Sequence, residues 1–206
     1  MDDIKKGLFI TFEGIDGCGK TTQLELLDKY LRKKGYKTIQ TLEPGGSDIG
    51  KSLREILLHH KGYVSDICEL FLYLADRAQH FETVILKNKN EGNMVLCDRH
   101  IDSTVAYQGF GRMGDIEKID FLNNLATKNQ KPDLTLLFDV DIETGQKRVG
   151  KEKDRLEKES LEFHKRVKEG YLKLAQKYPE RIKVINANLG IDEVFLQVQK
   201  IIDDIL

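Results

Sequence analysis

Residues 14–21 read Gly14-Ile15-Asp16-Gly17-Cys18-Gly19-Lys20-Thr21, the spacing G-x-x-x-x-G-K-[ST]. Three glycines in such a loop admit backbone angles and close approaches that a Cβ forbids, so successive N–H groups can wrap around phosphate oxygens. The apolar run Leu8 to Phe12 precedes the loop and a helical pattern follows it. A helix starting near Lys20 would aim its unpaired N–H groups and positive dipole end at the same anion. Lys20 can then reach the β and γ phosphates, and the Thr21 hydroxyl is placed to ligate Mg²⁺. With Thr22 the stretch forms an expected nucleotide site, and the chain reads as a nucleotide-binding protein.

A second chemical cluster, Asp98-Arg99-His100-Ile101-Asp102-Ser103-Thr104-Val105-Ala106-Tyr107-Gln108-Gly109, follows the apolar run Met94 to Cys97. A carboxylate at a strand end beside a phosphate loop commonly orients Mg²⁺ or its waters, which makes Asp98 a candidate metal residue acting through water. Arg99 offers a planar fork of donors suited to a second phosphate, a group that simple ATP hydrolysis does not need. The plainer alternative for the Asp-Arg pair is a surface salt bridge. His59, His60, His80 and His164 lack metal-ligand spacing, and His100 fits local packing better than proton transfer. Cys18 fits a small packing role.

These groups need elements to hold them. Leu24, Leu27 and Leu31 recur at helical spacing after the loop, with Gly35 where a helix stops. Tyr36 to Leu42 reads as a strand ending at the turn Glu43-Pro44-Gly45-Gly46. Ile67, Leu70, Phe71, Leu74, Ala78, Phe81 and Ile85 mark a long helix, Asp66 and Glu69 are spaced like a capping pair at its start, and Phe71 and Leu74 read as ordinary core. Met94 to Cys97 and Leu134 to Phe138 are continuous apolar runs, the pattern of strands buried on both faces; Lys183 to Ile185 adds a shorter strand. A final helix carries Val194, Val198, Ile201, Ile202 and Ile205. The alternation predicts an α/β fold with right-handed crossovers and an open parallel sheet between helical layers, binding ligands beyond the strands' carboxyl ends.

The chain has 206 residues, 40% of them hydrophobic, enough for one α/β domain over residues 1–206 and short for two. Its 33 basic and 34 acidic residues give a net charge of −1, which offers no field for nucleic acid or an anionic membrane and favours small-molecule partners. Three widely spaced cysteines argue against a disulfide framework or zinc site and fit a reduced cytoplasm. Met1 to Lys6 lead into the first strand without an apolar leader, and no stretch approaches a membrane span. The most charged stretch, Gln146 to Glu159, suggests a mobile flap; its bland alternative is a solvated surface.

Taken together, Glu43-Pro44-Gly45-Gly46, the Asp98 to Gly109 segment and Asp154-Arg155-Leu156-Glu157 resemble thymidylate kinase of the bacterial type, in order and over essentially the full chain. The resemblance implies a P-loop three-layer fold with about five parallel strands, a homodimer, and transfer of a phosphoryl group from Mg-ATP to dTMP, giving dTDP and ADP for dTTP biosynthesis. It implies that Gly14 to Thr22 bind ATP, that Tyr73 stacks on thymine, and that Arg77 hydrogen-bonds the base. Thr104 and Gln108 would line the base pocket and Tyr107 would pack on the deoxyribose, disfavouring a ribonucleotide. Asp16 would lie near the 3′-hydroxyl, while Arg54 and Arg99 hold the acceptor phosphate with Glu43 beside it. Residues 146–159 would be a lid supplying Arg148, Lys151, Lys153 and Arg155.

A phosphate monoester is already an anionic nucleophile, so such a reaction needs alignment and charge neutralisation more than a base. The variable part of the loop, Ile15 to Cys18, holds no basic residue, and bacterial-type relatives resemble this arrangement, delivering the charge from the lid. Arg148 is accordingly expected, with Lys20 and Arg99, to act in catalysis. Two departures stand out: relatives often carry Phe at Tyr73, and Arg where this chain has Leu42. The competing readings are another P-loop deoxynucleoside or nucleotide kinase, or a nucleotide-dependent switch; the chain has no Asn-Lys-x-Asp motif to support the latter.

Overall fold

The structure is a computed structural model that describes residues 7–150 and 154–206. Five parallel strands form one sheet in the order β2-β3-β1-β4-β5: β1 (Phe9–Glu13), β2 (Thr38–Leu42), β3 (Met94–Asp98), β4 (Leu134–Asp139) and β5 (Ile182–Asn186). The expected α/β architecture is thus observed, with the Lys183 strand extended by one residue at each end. β1 and β4 are buried throughout apart from Asp139, and β3 apart from Asp98, whereas the edge strands β2 and β5 are only partly buried. That is the difference between strands covered on two faces and strands at a sheet margin.

Alternation along β1 assigns its side chains to two layers. Ile10 and Phe12 belong to the main core with Leu24, Leu27 and Leu31 of α1 (Lys20–Lys33), whereas Phe9 packs with Phe81, Ile85, Val95 and Cys97. The sheet register pairs Phe12 with Asp98, Leu42 with Asp98 and Glu13 with Leu137, so the ends of the strands stand level. The loops after β1 and β3 leave from adjacent carboxyl ends, at the crevice where α/β sheets bind ligands.

The helices complete the layers: α2 (Asp48–His59), α3 (Asp66–His80), α4 (Lys87–Asn90), α5 (Ile101–Thr104), α6 (Ile116–Ala126), α7 (Ile142–Arg148), α8 (Leu161–Lys177) and α9 (Ile191–Asp203). Two wider π-helical turns, Phe81–Leu86 and Val105–Gly111, continue α3 and α5. The second is closed by the Arg112 N–H on the Tyr107 carbonyl at 2.8 Å. Such turns cluster at functional sites because they re-aim side chains, and this one presents Tyr107 and Gln108.

The sequence expectations for α3 need two corrections. Its N-cap is Ser65, whose hydroxyl accepts the Cys68 N–H at 3.3 Å, a contact worth about 1 kcal/mol, and not Asp66. Glu69 is buried at 0% exposure and bonds elsewhere. Phe71 is not core: it is 56% exposed, with Ile67 at 62%, whereas Leu70 and Leu74 are buried. Among the described residues no helix is long and apolar enough to cross a membrane.

Candidate functional site: a phosphate loop facing an arginine cleft

The phosphate loop turns where its glycines let it. Gly14 and Gly17 take φ of 141° and 75°, and a Cβ on Gly17 would lie 2.1 Å from the Gly145 carbonyl oxygen, so the loop sits directly against α7. Lys20 opens α1, and its Nζ donates to the carbonyls of Gly14 at 3.1 Å and Ile15 at 3.2 Å. The Thr21 hydroxyl donates to Asp98 Oδ2 at 3.3 Å.

Above the loop lies a cleft of about 520 Å³. Asp16, Gly17, Gly19, Lys20, Thr21 and Thr22 line its side next to the phosphate loop; Glu43, Arg54, Tyr73, Arg77, Asp98, Arg99, Thr104, Tyr107, Gln108 and Arg148 are among the residues lining the rest. Gly14, Ile15 and Cys18 do not line the cleft, and Ile15 and Cys18 are buried. Lys151 and Lys153 lie outside the described residues. Arg155 is not brought to the cleft: its Nη1 binds Glu69 at 2.5 Å and its Nε the Leu57 carbonyl at 3.0 Å. Leu42, where relatives often have Arg, is a half-exposed apolar residue on the cleft wall. Among the described residues the Tyr73 phenol has no hydrogen-bond partner, and burial pushes its pKa up.

Arg99 is held from several sides of the cleft. Its backbone adopts φ 68°, which costs a side-chain-bearing residue about 1 kcal/mol or more, and its N–H bonds the Phe12 carbonyl at 3.0 Å. Its Nη2 meets Asp16 Oδ1 at 2.5 Å, and Nη1 donates to the Gly14 carbonyl, the Ser103 hydroxyl and the Tyr171 hydroxyl. The guanidinium lies 5.0 Å over the Tyr107 ring, whose hydroxyl donates to Asp16 Oδ2 at 3.1 Å. Burial acts to raise the pKa of Asp16, but the Arg99 and Lys20 charges and these hydrogen bonds hold it at about 2. Asp16 is therefore ionised, and it ties Tyr107 to Arg99.

Arg77 is 1% exposed. Its Nε bonds Glu43 Oε2 at 2.9 Å, Nη1 bonds Thr104 Oγ1 and Asn123 Oδ1 at 2.6 Å each, and Nη2 bonds the His100 carbonyl at 2.9 Å. Four of its five N–H donors are thus engaged, leaving one on Nη2 for a ligand. Glu43 does not project freely toward an acceptor phosphate. It is 4% exposed, and its Oε1 receives the Nδ1 of both His80 and His100 at 2.9 Å. Burial opposes its charge, but His100 and Arg77 hold its pKa well below the usual range. His100 packs as expected, edge-on to Phe9 with centroids 4.9 Å apart.

Two supporting residues escaped the sequence reading. Glu13, buried beneath the loop, accepts the His100 N–H at 2.7 Å, the Ser103 hydroxyl at 2.6 Å and the Tyr171 hydroxyl at 3.0 Å, and the last two groups both bond Arg99. Its position directly before Gly14 was the one available signal; Tyr171, in α8, gave none. Burial, reinforced by the Asp102 charge, raises Glu13 from 4.5 to about 7. The folded carboxyl keeps a proton that the unfolded chain has lost, so its stabilisation is complete below about pH 4.5 and disappears as pH rises through about 7. We expect the melting temperature of the wild type to fall between about pH 5 and 8 relative to that of Glu13→Gln, by the equivalent of about 2–3 kcal/mol. A difference independent of pH would refute this.

A parallel five-stranded sheet, a glycine-rich phosphate loop feeding α1 and a second set of cations across the cleft define a P-loop phosphotransferase. The thymidylate kinase family model matches residues 12–198. The chain is 46% identical over 199 residues to the thymidylate kinase of Thermoanaerobacter sp. (strain X514), covering 96% of this chain and 97% of that protein. It is 48% identical over 202 residues to that of Maridesulfovibrio salexigens, covering 93% of each. The crystal structure of thymidylate kinase from Ehrlichia chaffeensis superposes with a TM-score of 0.80 at 37% identity, over 96% of this chain and 98% of that one. The chain belongs to the thymidylate kinase family.

Proposed function

We propose that the protein transfers the γ-phosphoryl group of ATP to dTMP, giving ADP and dTDP. The observation that carries this reading is the single cleft in which the phosphate loop faces Arg54 and Arg99, with Tyr73, Thr104 and Gln108 behind them. An oxygen of the dTMP phosphate attacks the γ phosphorus, and the bond from that phosphorus to the β–γ bridging oxygen breaks as ADP leaves. Lys20 clamps the donor phosphates. Arg99 and Arg54 hold the acceptor; Arg54 is braced by its Nη1 on the Pro44 carbonyl at 2.7 Å. Arg148, exposed at the end of α7 and bonded to the Ala187 carbonyl at 3.3 Å, closes over the transferring group. A carboxylate acceptor for a nucleoside proton is not needed, because the nucleophile is already an anion.

The residues fit Mg²⁺. Thr21 and Asp98 offer hard oxygen donors, and Asp98 Oδ1 is buried without a hydrogen-bond partner. No cluster of three His, Cys, Asp or Glu is present among the described residues. A magnesium ion held by few protein groups and completed by water and substrate phosphates suits that donor set. It would neutralise charge on the donor phosphates.

A homodimer is part of this proposal. Exposed Ile56 on α2, Ile67 and Phe71 on α3, and Phe121 and Leu125 on α6 give these neighbouring helices an apolar face, which association of two copies would bury. We further propose residues 1–206 as one kinase domain with a lid at about 146–159, working in the cytoplasm on small molecules alone.

A coupled assay supplying ATP with each nucleoside monophosphate tests the reading. Transfer to dTMP is expected; turnover of thymidine alone would assign a nucleoside kinase, and ATP loss without acceptor a switch. Tyr107→Ala should improve relative use of the ribonucleotide about tenfold, since the ring that fills the 2′ side is then gone. Unchanged discrimination would place selectivity elsewhere.

A further inference from the structure

Glu69 of α3 is completely buried, and no step above uses it. Its carboxylate gathers four N–H donors from distant parts of the chain. Gln108 Nε2 at 2.7 Å and Arg112 Nε at 3.3 Å reach Oε1; Arg112 Nη2 at 3.1 Å and Arg155 Nη1 at 2.5 Å reach Oε2. Burial would raise its pKa, yet these donors hold it below the ordinary value, so it stays an ionised acceptor. An acceptor with no proton dictates which end of an amide it meets. Gln108 must turn its NH₂ group toward Glu69, and its carbonyl oxygen is the end left for the cleft it lines. The two arginines keep the carboxylate charged and in place independently of the amide.

We propose that Glu69, which touches no substrate, is a positioning residue for base selection: it commits Gln108 to accepting a hydrogen bond, and so favours a pyrimidine with a proton on N3 over one with a bare N3. Thymine is of the first kind and cytosine of the second. The inference rests on the thymidylate reading above. In Glu69→Gln the Arg155 Nη1 and Arg112 Nη2 donors keep the new carbonyl at the Oε2 position, the long 3.3 Å bond from Arg112 Nε is given up, and the substituted amide turns its NH₂ toward Gln108. Gln108 then flips, and its own NH₂ faces the cleft.

The test is steady-state kinetics with dTMP and dCMP as acceptors, together with thermal melts, for the wild type, Glu69→Gln, Gln108→Leu and the double variant. For Glu69→Gln we expect the KM for dTMP to rise about tenfold with kcat little changed, and the ratio of kcat/KM for dTMP over dCMP to fall about tenfold or more, the worth of one hydrogen bond. In the Gln108→Leu background the same change should move the ratio no further. A lower melting temperature with the ratio intact would make Glu69 an ordinary structural anchor and overturn the proposal. Where Glu69→Gln fails to fold, Gln108→Leu decides, since it leaves the ion pairs standing: an unchanged ratio refutes the inference and a tenfold loss supports it. A wild type inactive on dTMP would instead bring down the functional reading, and this inference with it.

Discussion

Lys20→Ala should lower kcat for transfer to dTMP by about 10³-fold or more while the protein remains folded. Lys20 is only 7% exposed, and its ammonium is pinned by the carbonyls of Gly14 and Ile15 at the mouth of the loop. A charge fixed there before the substrate arrives needs no reorganisation as negative charge shifts toward ADP, and this is where preorganised groups contribute most. Removing the side chain leaves backbone N–H groups alone to face the donor phosphates. Initial rates with saturating ATP and dTMP, alongside circular dichroism, give the measurement. Turnover within tenfold of the wild type would remove Lys20 from the mechanism.

Arg148→Ala should produce a loss of similar size with a different signature: kcat down about 10³-fold and KM for dTMP within about threefold. Arg148 is exposed, reaches the cleft from the last turn of α7, and among the described residues has a single hydrogen bond, to the Ala187 carbonyl. It is therefore free to close over the phosphoryl group in a way that Arg99, held by Asp16 at 2.5 Å, is not. The role proposed for it belongs to the transition state, so ground-state affinity should barely change. An effect confined to KM would reassign it to substrate capture.

The features legible in the sequence were those written over short distances. The phosphate loop is eight consecutive residues, and the strands β1, β3 and β4 are continuous apolar runs because both faces of each are covered. Tyr73 and Arg77 sit one helical turn apart and do line the same cleft. What escaped depends on partners far apart in the chain. Ser65 and Asp66 are both good caps, and only the fold decides between them. Glu69 looked like the second half of a capping pair because nothing near it reveals Arg112 and Arg155, 43 and 86 residues away. Nor does anything near Arg155, expected among the lid cations, reveal that it pairs with Glu69. Phe71 read as core because helical spacing shows which residues share a face but not whether the sheet or another surface meets it. Glu43, His80 and His100 converge from the loop after β2, the end of α3 and the loop after β3, a meeting that no local pattern records.

The contact between Gly17 and Gly145 holds the phosphate loop against α7, the stem of the proposed lid, more closely than sequence distance suggests. A methyl group on either residue would wedge two backbones apart, 2.1 Å from the Gly145 oxygen in one case and 2.8 Å from the Asp16 oxygen in the other. For protein engineering, these two parts form one interchangeable cassette. A lid transplanted from a relative has to bring a glycine at 145 with it, or the borrowed arginine will arrive over a displaced cradle.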